Sequence, residues 1–280
     1  MQLGDAGELR LLGELERRGL AQRIENDVAQ LDGGLVVTQD ALVEGVHFRL
    51  DWTSWRDLGY KAAAVNLSDL AASGAEAEGL IVSLGVPGTT ELEDVVELYE
   101  GLNEPAVPVI GGDTTASDRV YLSVTAVGRA ERVPGRAGAR PGDLVVVTGP
   151  LGGSGAGYAA LRDGRESSHV AAHLRPPLRL EEGRRLAGVA HAMLDISDGL
   201  AVDAARIAER SGCRIAIELE RVPLAADIGS LGFGEDYELL AATPDPLEFP
   251  VIGRCEEGTG VVLTLNGNPV ELGGWEHFRT

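Results

Sequence analysis

The chain has 280 residues, 44% of them hydrophobic, with 44 acidic against 24 basic residues and a net charge of −20. The length fits one large domain or two ordinary ones, and the hydrophobic share excludes a disordered chain. The charge excludes general nucleic-acid binding, and a phosphorylated ligand would need cations to enter this field.

The first twenty residues, MQLGDAGELRLLGELERRGL, lack the basic-then-apolar order of a signal peptide. They read as a helix with Leu9, Leu12, Leu15 and Leu20 roughly on one face. No apolar run reaches the length of a membrane span. Residues 33–40 read as a hairpin entry and a short buried strand. Residues 55–74 form a strong helix, with Asp57 as N-cap and Gly74 as its stop. A strand (78–87), a helix opened by Thr90 (90–104), a strand running into a loop (106–115) and an alternating strand (119–130) follow. The Gly-, Pro- and Arg-rich stretch ERVPGRAGARPGD, 131–143, links an N-terminal unit, 1–130, to a C-terminal unit, 144–280. Beyond it come a strand, glycine loop and helix (144–164), a helix around 178–190, and strands at 214–219, 237–243, 250–257 and 260–267. Helices alternate with strands in both halves, so the expected class is mixed α/β in two domains. The only cysteines, Cys213 and Cys255, have no metal-ligand spacing and read as reduced thiols of a cytoplasmic protein.

Aspartates recur where apolar runs end. GLVVTQD closes at Asp40, VPVIGGD at Asp113, and HAMLDISD carries Asp195 and Asp198, with no lysine or arginine beside them in sequence. In open α/β sheets, ligands collect where strands give way to loops. Asp69, in NLSDLAASG, falls near a helix C-terminus, where the dipole disfavours an anion. Asp27, in IENDVAQL, makes a fifth region. Each alone reads equally as a cap or turn residue. Gathered without histidine or cysteine, they suit a hard, oxygen-loving cation such as magnesium, the usual carrier of a nucleoside triphosphate in an acidic protein. Lys61 is the only lysine, so no GxxxxGK[ST] loop exists and a P-loop is excluded. The glycine loop TGPLGGSGAG, 148–157, instead reads as a phosphate cradle before a helix, with Arg136 and Arg140 in reach of a phosphate.

The motifs TQDALVEGVHF, NLSDLAASG, VIGGDTT, GRAGARPGD, LDISDGLAVD, GEDYELL and GGWEHF, in this order from Asp27 to Phe278, resemble the thiamine-monophosphate kinase family of the aminoimidazole ribonucleotide synthetase superfamily. The resemblance implies a two-domain fold whose N-terminal sheet pairs across a homodimer and whose C-terminal domain covers the active site. It implies phosphorylation of thiamine monophosphate by ATP, in line and without a covalent nucleophile, and several magnesium ions. It places metal binding at Asp27, Thr38, Asp40, Asp69, Asp113, Asp195 and Asp198. ATP contacts fall at Tyr99, Gly112, Arg136 and Ser197, and substrate contacts at His47, Glu235 and Trp275. Neither nucleic acid nor a membrane is an expected partner.

The chain departs from the family pattern at four places. Asn26, in END, replaces a carboxylate; Gln39 stands where a hydroxyl is common; Gly153 stands where an aspartate is common; and 223–235 is shortened, which touches the wall carrying Glu235. The competing readings are another ATP-using enzyme of the superfamily, a selenophosphate or aminoimidazole ribonucleotide synthetase, and a non-catalytic homologue. A selenophosphate synthetase would carry a reactive Cys or Sec near its N-terminus, and no cysteine precedes Cys213.

Overall fold

A computed structural model describes residues 2–21 and 26–275; Glu25 and Phe278 lie outside them, as does the side chain of Leu9. The expected first helix is two, α1 (Leu3–Ala6) and α2 (Glu8–Arg17), separated by Gly7 at φ 73°. The first sheet contains β1 (Ala29–Gln30) and β2 (Leu35–Val43), then, after helix α3 (Trp55–Ala72), β3 (Glu76–Val86). Helix α4 (Leu92–Asn103) leads to β4 (Val109–Ala116) and β5 (Tyr121–Arg129). The strand order is β1-β2-β5-β3-β4, with β3 and β4 parallel and the other pairs antiparallel. The residues at alternate positions, Val36, Leu42, Leu80, Val82, Leu122 and Val124, are buried beneath α3 and α4.

Helix α3 begins at Ser54, not at Asp57. The Ser54 side chain accepts from the Asp57 N–H, and its hydroxyl donates to the Asp57 carboxylate, so Asp57 occupies the third position of the cap. Thr90 likewise lies before its helix, whose N-cap is Glu91. Helix α3 is buried on nearly every side. A Cβ at Gly59 would lie 1.9 Å from the Leu98 carbonyl oxygen, and one at Gly101 would lie 2.0 Å from that of Arg56. Glycines therefore let α3 and α4 touch backbone to backbone.

The C-terminal half contains β6 (Leu144–Val147), α5 (Gly153–Arg162), α6 (Val170–Leu174), α7 (Leu180–Ala187), β7 (Ala192–Asp195), α8 (Leu200–Ser211) and β8 (Arg214–Glu218). It closes with β9 (Leu239–Thr243), β10 (Val251–Glu256), β11 (Gly260–Leu265) and β12 (Asn268–Val270). These strands form one sheet, β12-β11-β8-β10-β6-β9-β7, in which only β11 and β8 are parallel. One core joins the halves: Ala71 and Ala72 of α3 pack in a single cluster with Val146, Leu186, Met193, Leu239 and Phe249. A Cβ at Gly183 of α7 would lie 2.1 Å from the Ala71 carbonyl oxygen, so α7 lies as close to α3 as α4 does. No helix among the described residues is long and apolar enough to cross a membrane.

Candidate active site

A cavity of about 750 Å³ opens where the end of α3, β2 and the β7–α8 turn meet. Asp27, Asp69 and Asp195 each place a carboxylate oxygen there, all within 4.8 Å of one another. Each is fixed by a neighbour. Thr38 Oγ1 donates to Asp69 at 2.5 Å, Ser68 Oγ donates to Asp195 at 2.6 Å, and Arg136 Nε donates to Asp27 at 3.0 Å. Asn66 Oδ1 accepts the Asp40 N–H at 2.9 Å, which seats β2 on α3. Burial, and then the charge of Asp40, push the Asp69 carboxyl well above the carboxylate range. Burial, and then Asp27, do the same to Asp195. Three carboxylates crowded at one point, with Arg136 on Asp27 as their basic partner, could hold a cation with oxygen ligands.

Asp198 differs from these. Arg206, two turns along α8, pairs with it and also reaches Asp203 at 2.6 Å. The expectation that Asp198 lacks a basic partner is therefore corrected: helical periodicity brings one across eight residues. Asp198 does not cap α8 either. The fully buried Asp203 carboxylate accepts the N–H groups of Asp198 and Gly199, and burial raises it to about 7.

The glycine loop is not a phosphate cradle. The buried Asp236 carboxylate accepts from Gly152 N at 2.8 Å and from Ser154 N at 3.2 Å, filling the N-terminus of α5. A Cβ at Gly153 would meet Ala172 and Ala225 at 3.2 and 3.3 Å, a tight contact in which a larger side chain would need those neighbours to give. Arg140 is exposed, and its N–H is given to Asp143. Arg136 does line the cavity. Asn26 Oδ1 accepts the Arg136 N–H at 3.0 Å, so this departure anchors the linker beside the site.

One wall of the cavity is aromatic. Tyr158 stacks on Phe233 with ring centroids 4.9 Å apart, and Trp52 meets Tyr158 edge-on at 6.5 Å. His47, Glu235 and Trp275 line the same cavity, so the shortened 223–235 segment still delivers Glu235. Trp275 is fixed through its N–H, which donates to the Asp198 carbonyl at 2.9 Å. His173 lines the cavity beside these rings, and burial, then the charge of Lys61, hold it down to about 4. Its value in the fold is below that of the unfolded chain, so the native state resists protonation. Stability therefore falls as pH drops from about 6.5 towards 4, by up to about 3 kcal/mol. His173→Gln is expected to flatten the acid limb of a stability-against-pH curve; an unchanged limb would refute this.

Ser197, Thr38, Asp40, Asp69, Asp195 and Asp198 all line the cavity with Asp27. Tyr99, Gly112 and Asp113 do not: they lie on α4 and the exposed edge strand β4. Register explains it. Asp40, Val124, Val82 and Gly112 share one row, while Asp113 falls in the next, with Ser83, Ser123 and Ala41, on the opposite face. Three strand spacings separate β2 from β4, about 14 Å.

Residues 25–130 match the AIR synthase related protein N-terminal domain, and residues 140–270 match the corresponding C-terminal domain. The thiamine-monophosphate kinase of Aquifex aeolicus (strain VF5) is 35% identical over 99% of this chain and 100% of its own length. The chain belongs to the thiamine-monophosphate kinase family. The kinase of Bacillus subtilis (strain 168) is 37% identical over 87% of this chain and 88% of its own. A solved family member described as "AaThiL complexed with AMPPCP and TMP" superposes with a TM-score of 0.92 at 35% identity, covering 99% of each chain.

Proposed function

We propose that this chain transfers the terminal phosphoryl group of ATP to the phosphate of thiamine monophosphate, giving thiamine diphosphate and ADP. The observation that carries the reading is one cavity lined both by three crowded carboxylates and by an aromatic wall with Glu235. The family membership and the relative bound to AMPPCP and TMP support it.

Asp27, Asp69 and Asp195, with Asp40 and Thr38 beside them, are the residues that would hold magnesium, and Asp198 lies at their edge. When bound, magnesium would screen the phosphates from the carboxylates and from each other. Arg136 and Arg206 stand over the same end and are placed to meet phosphate oxygens. A substrate phosphate oxygen attacks the γ-phosphorus, and the bond to the ADP oxygen breaks. The attacking oxygen is already ionised at neutral pH, so no general base or covalent nucleophile is required, only alignment and charge screening. Trp275, Tyr158 and Phe233 offer faces to a cationic thiazolium and a flat pyrimidine. The test is product formation from ATP and thiamine monophosphate with and without a divalent ion. Turnover that persists in excess chelator would overturn the metal assignment.

Tyr99, Gly112 and Asp113 serve this reaction if a second copy supplies them. Strand β4 is exposed along nearly its whole length, and Ile81, Val96 and Ile110 are exposed nearby. A two-fold pairing of the N-terminal sheets would cover them and carry Asp113 to the partner's cavity. Strand β5, in the middle of its sheet, would contribute its face and not an edge. Light scattering at micromolar concentration should give a dimer mass; a monomer would refute this. The unbridged, buried Cys213 and Cys255 suit a reducing cytoplasm.

A further inference from the structure

Lys61 is fully buried in the second turn of α3. A buried ammonium needs a partner, and its Nζ donates to Glu235 Oε2 at 3.0 Å. The same carboxylate oxygen lies 3.3 Å from His173 Nδ1, which is 3.0 Å from Ser154 Oγ. Glu235 and His173 line the cavity, whereas Lys61 stands behind them. The pair also bridges the halves, since Lys61 belongs to the N-terminal half and Glu235 to the C-terminal one.

The backbone around Glu235 is held in a costly shape. Glu235 and Tyr237 have φ of 54° and 51°, a region non-glycine residues avoid. Gly234 precedes them at φ 84°, and a Cβ there would lie 2.2 Å from the Ser197 carbonyl oxygen. Two hydrogen bonds hold the hook: Glu235 N donates to Ser197 O at 2.8 Å and Tyr237 N to Ile196 O at 3.0 Å. A buried ion pair is a poor source of stability, and two apolar side chains would serve at least as well. Strain and buried charge spent on one carboxylate point to geometry as their purpose.

We infer that Lys61 is a positioning residue for substrate: it fixes the Glu235 carboxylate at the aromatic end of the cavity, where that carboxylate meets the ring portion of thiamine monophosphate. This rests on the functional reading above. Lys61 never touches substrate, so its effect passes entirely through Glu235.

The test is a double-mutant cycle of Lys61→Met, Glu235→Gln and both together, with kinetics for each substrate varied and a melting curve for every variant. Lys61→Met should raise KM for thiamine monophosphate at least about tenfold, the scale of one charge-assisted hydrogen bond, with KM for ATP nearly unchanged. The double variant, which leaves no unpaired buried charge, should melt close to the parent, yet its KM for thiamine monophosphate should equal that of Glu235→Gln alone. Additive effects, an unchanged KM in Lys61→Met, or equal rises in both KM values would overturn the inference. Recovery of both stability and KM in the double variant would make the pair a structural strut and overturn it too. If Lys61→Met does not fold, the comparison of the double variant with Glu235→Gln decides. Parent enzyme that fails to turn over thiamine monophosphate would sink the functional reading instead.

Discussion

Asp195→Asn is expected to lower kcat by at least on the order of 10²-fold, the scale seen when one electrostatic stabiliser of a transition state is removed. The same holds for Asp69→Asn, because the two carboxylates converge with Asp27 on one point. Neither change should harm the fold. Burial and like charges raise both carboxyls above the values they have in the unfolded chain. Such a group favours folding at low pH, and that advantage is lost as pH climbs from the ordinary carboxylate range through the raised value. At neutral pH the native state therefore bears a strain that an amide does not share. Without divalent ions the Asn variants should melt at or above the parent. With magnesium only the parent should gain fully, since ligand binding stabilises the state that binds it. Near-parental kcat at saturating magnesium, or an equal magnesium-dependent rise in Tm, would count against the site.

Gly101→Leu should cost about 3 kcal/mol or more, because a side chain at this position meets backbone and not a movable neighbour. Its Cβ alone would lie 2.0 Å from the Arg56 carbonyl oxygen, and α3 cannot retreat with α7 pressed against it elsewhere. For a protein of this size that corresponds to a fall in Tm of roughly 6–12 °C. A shift within about 2 °C in a melting scan would show that the helix pair can part cheaply.

Much of the aspartate end was legible because its residues break local rules. Asp69 sits in a helix's last turn, where the dipole disfavours an anion. Asp195 ends a strand that is buried throughout. What stayed hidden depends on partners distant in sequence. The glycine loop looked open because Asp236, which fills it, lies more than eighty residues further on. Arg206 lies eight residues from Asp198 along the chain and reaches it only because helix α8 turns it back. The separation of Asp113 from Asp40 follows from strand order, which periodicity does not reveal. The aromatic wall draws on three distant segments, at Trp52, Tyr158 and Phe233, and no one of them carries a local signal.

The shared core around Ala71 and Ala72 has a consequence for synthesis. When residue 130 has been added, α3 has its sheet and α4, but the stripe that faces Leu186, Met193, Leu239 and Phe249 has nothing to cover it. The ribosome needs on the order of ten seconds to supply those residues. For that interval the nascent chain leaves Ala71 and Ala72 uncovered, with Asp27 and Asp69 in place but their third carboxylate, Asp195, not yet made. The N-terminal half can therefore complete this burial only once Phe249 has emerged.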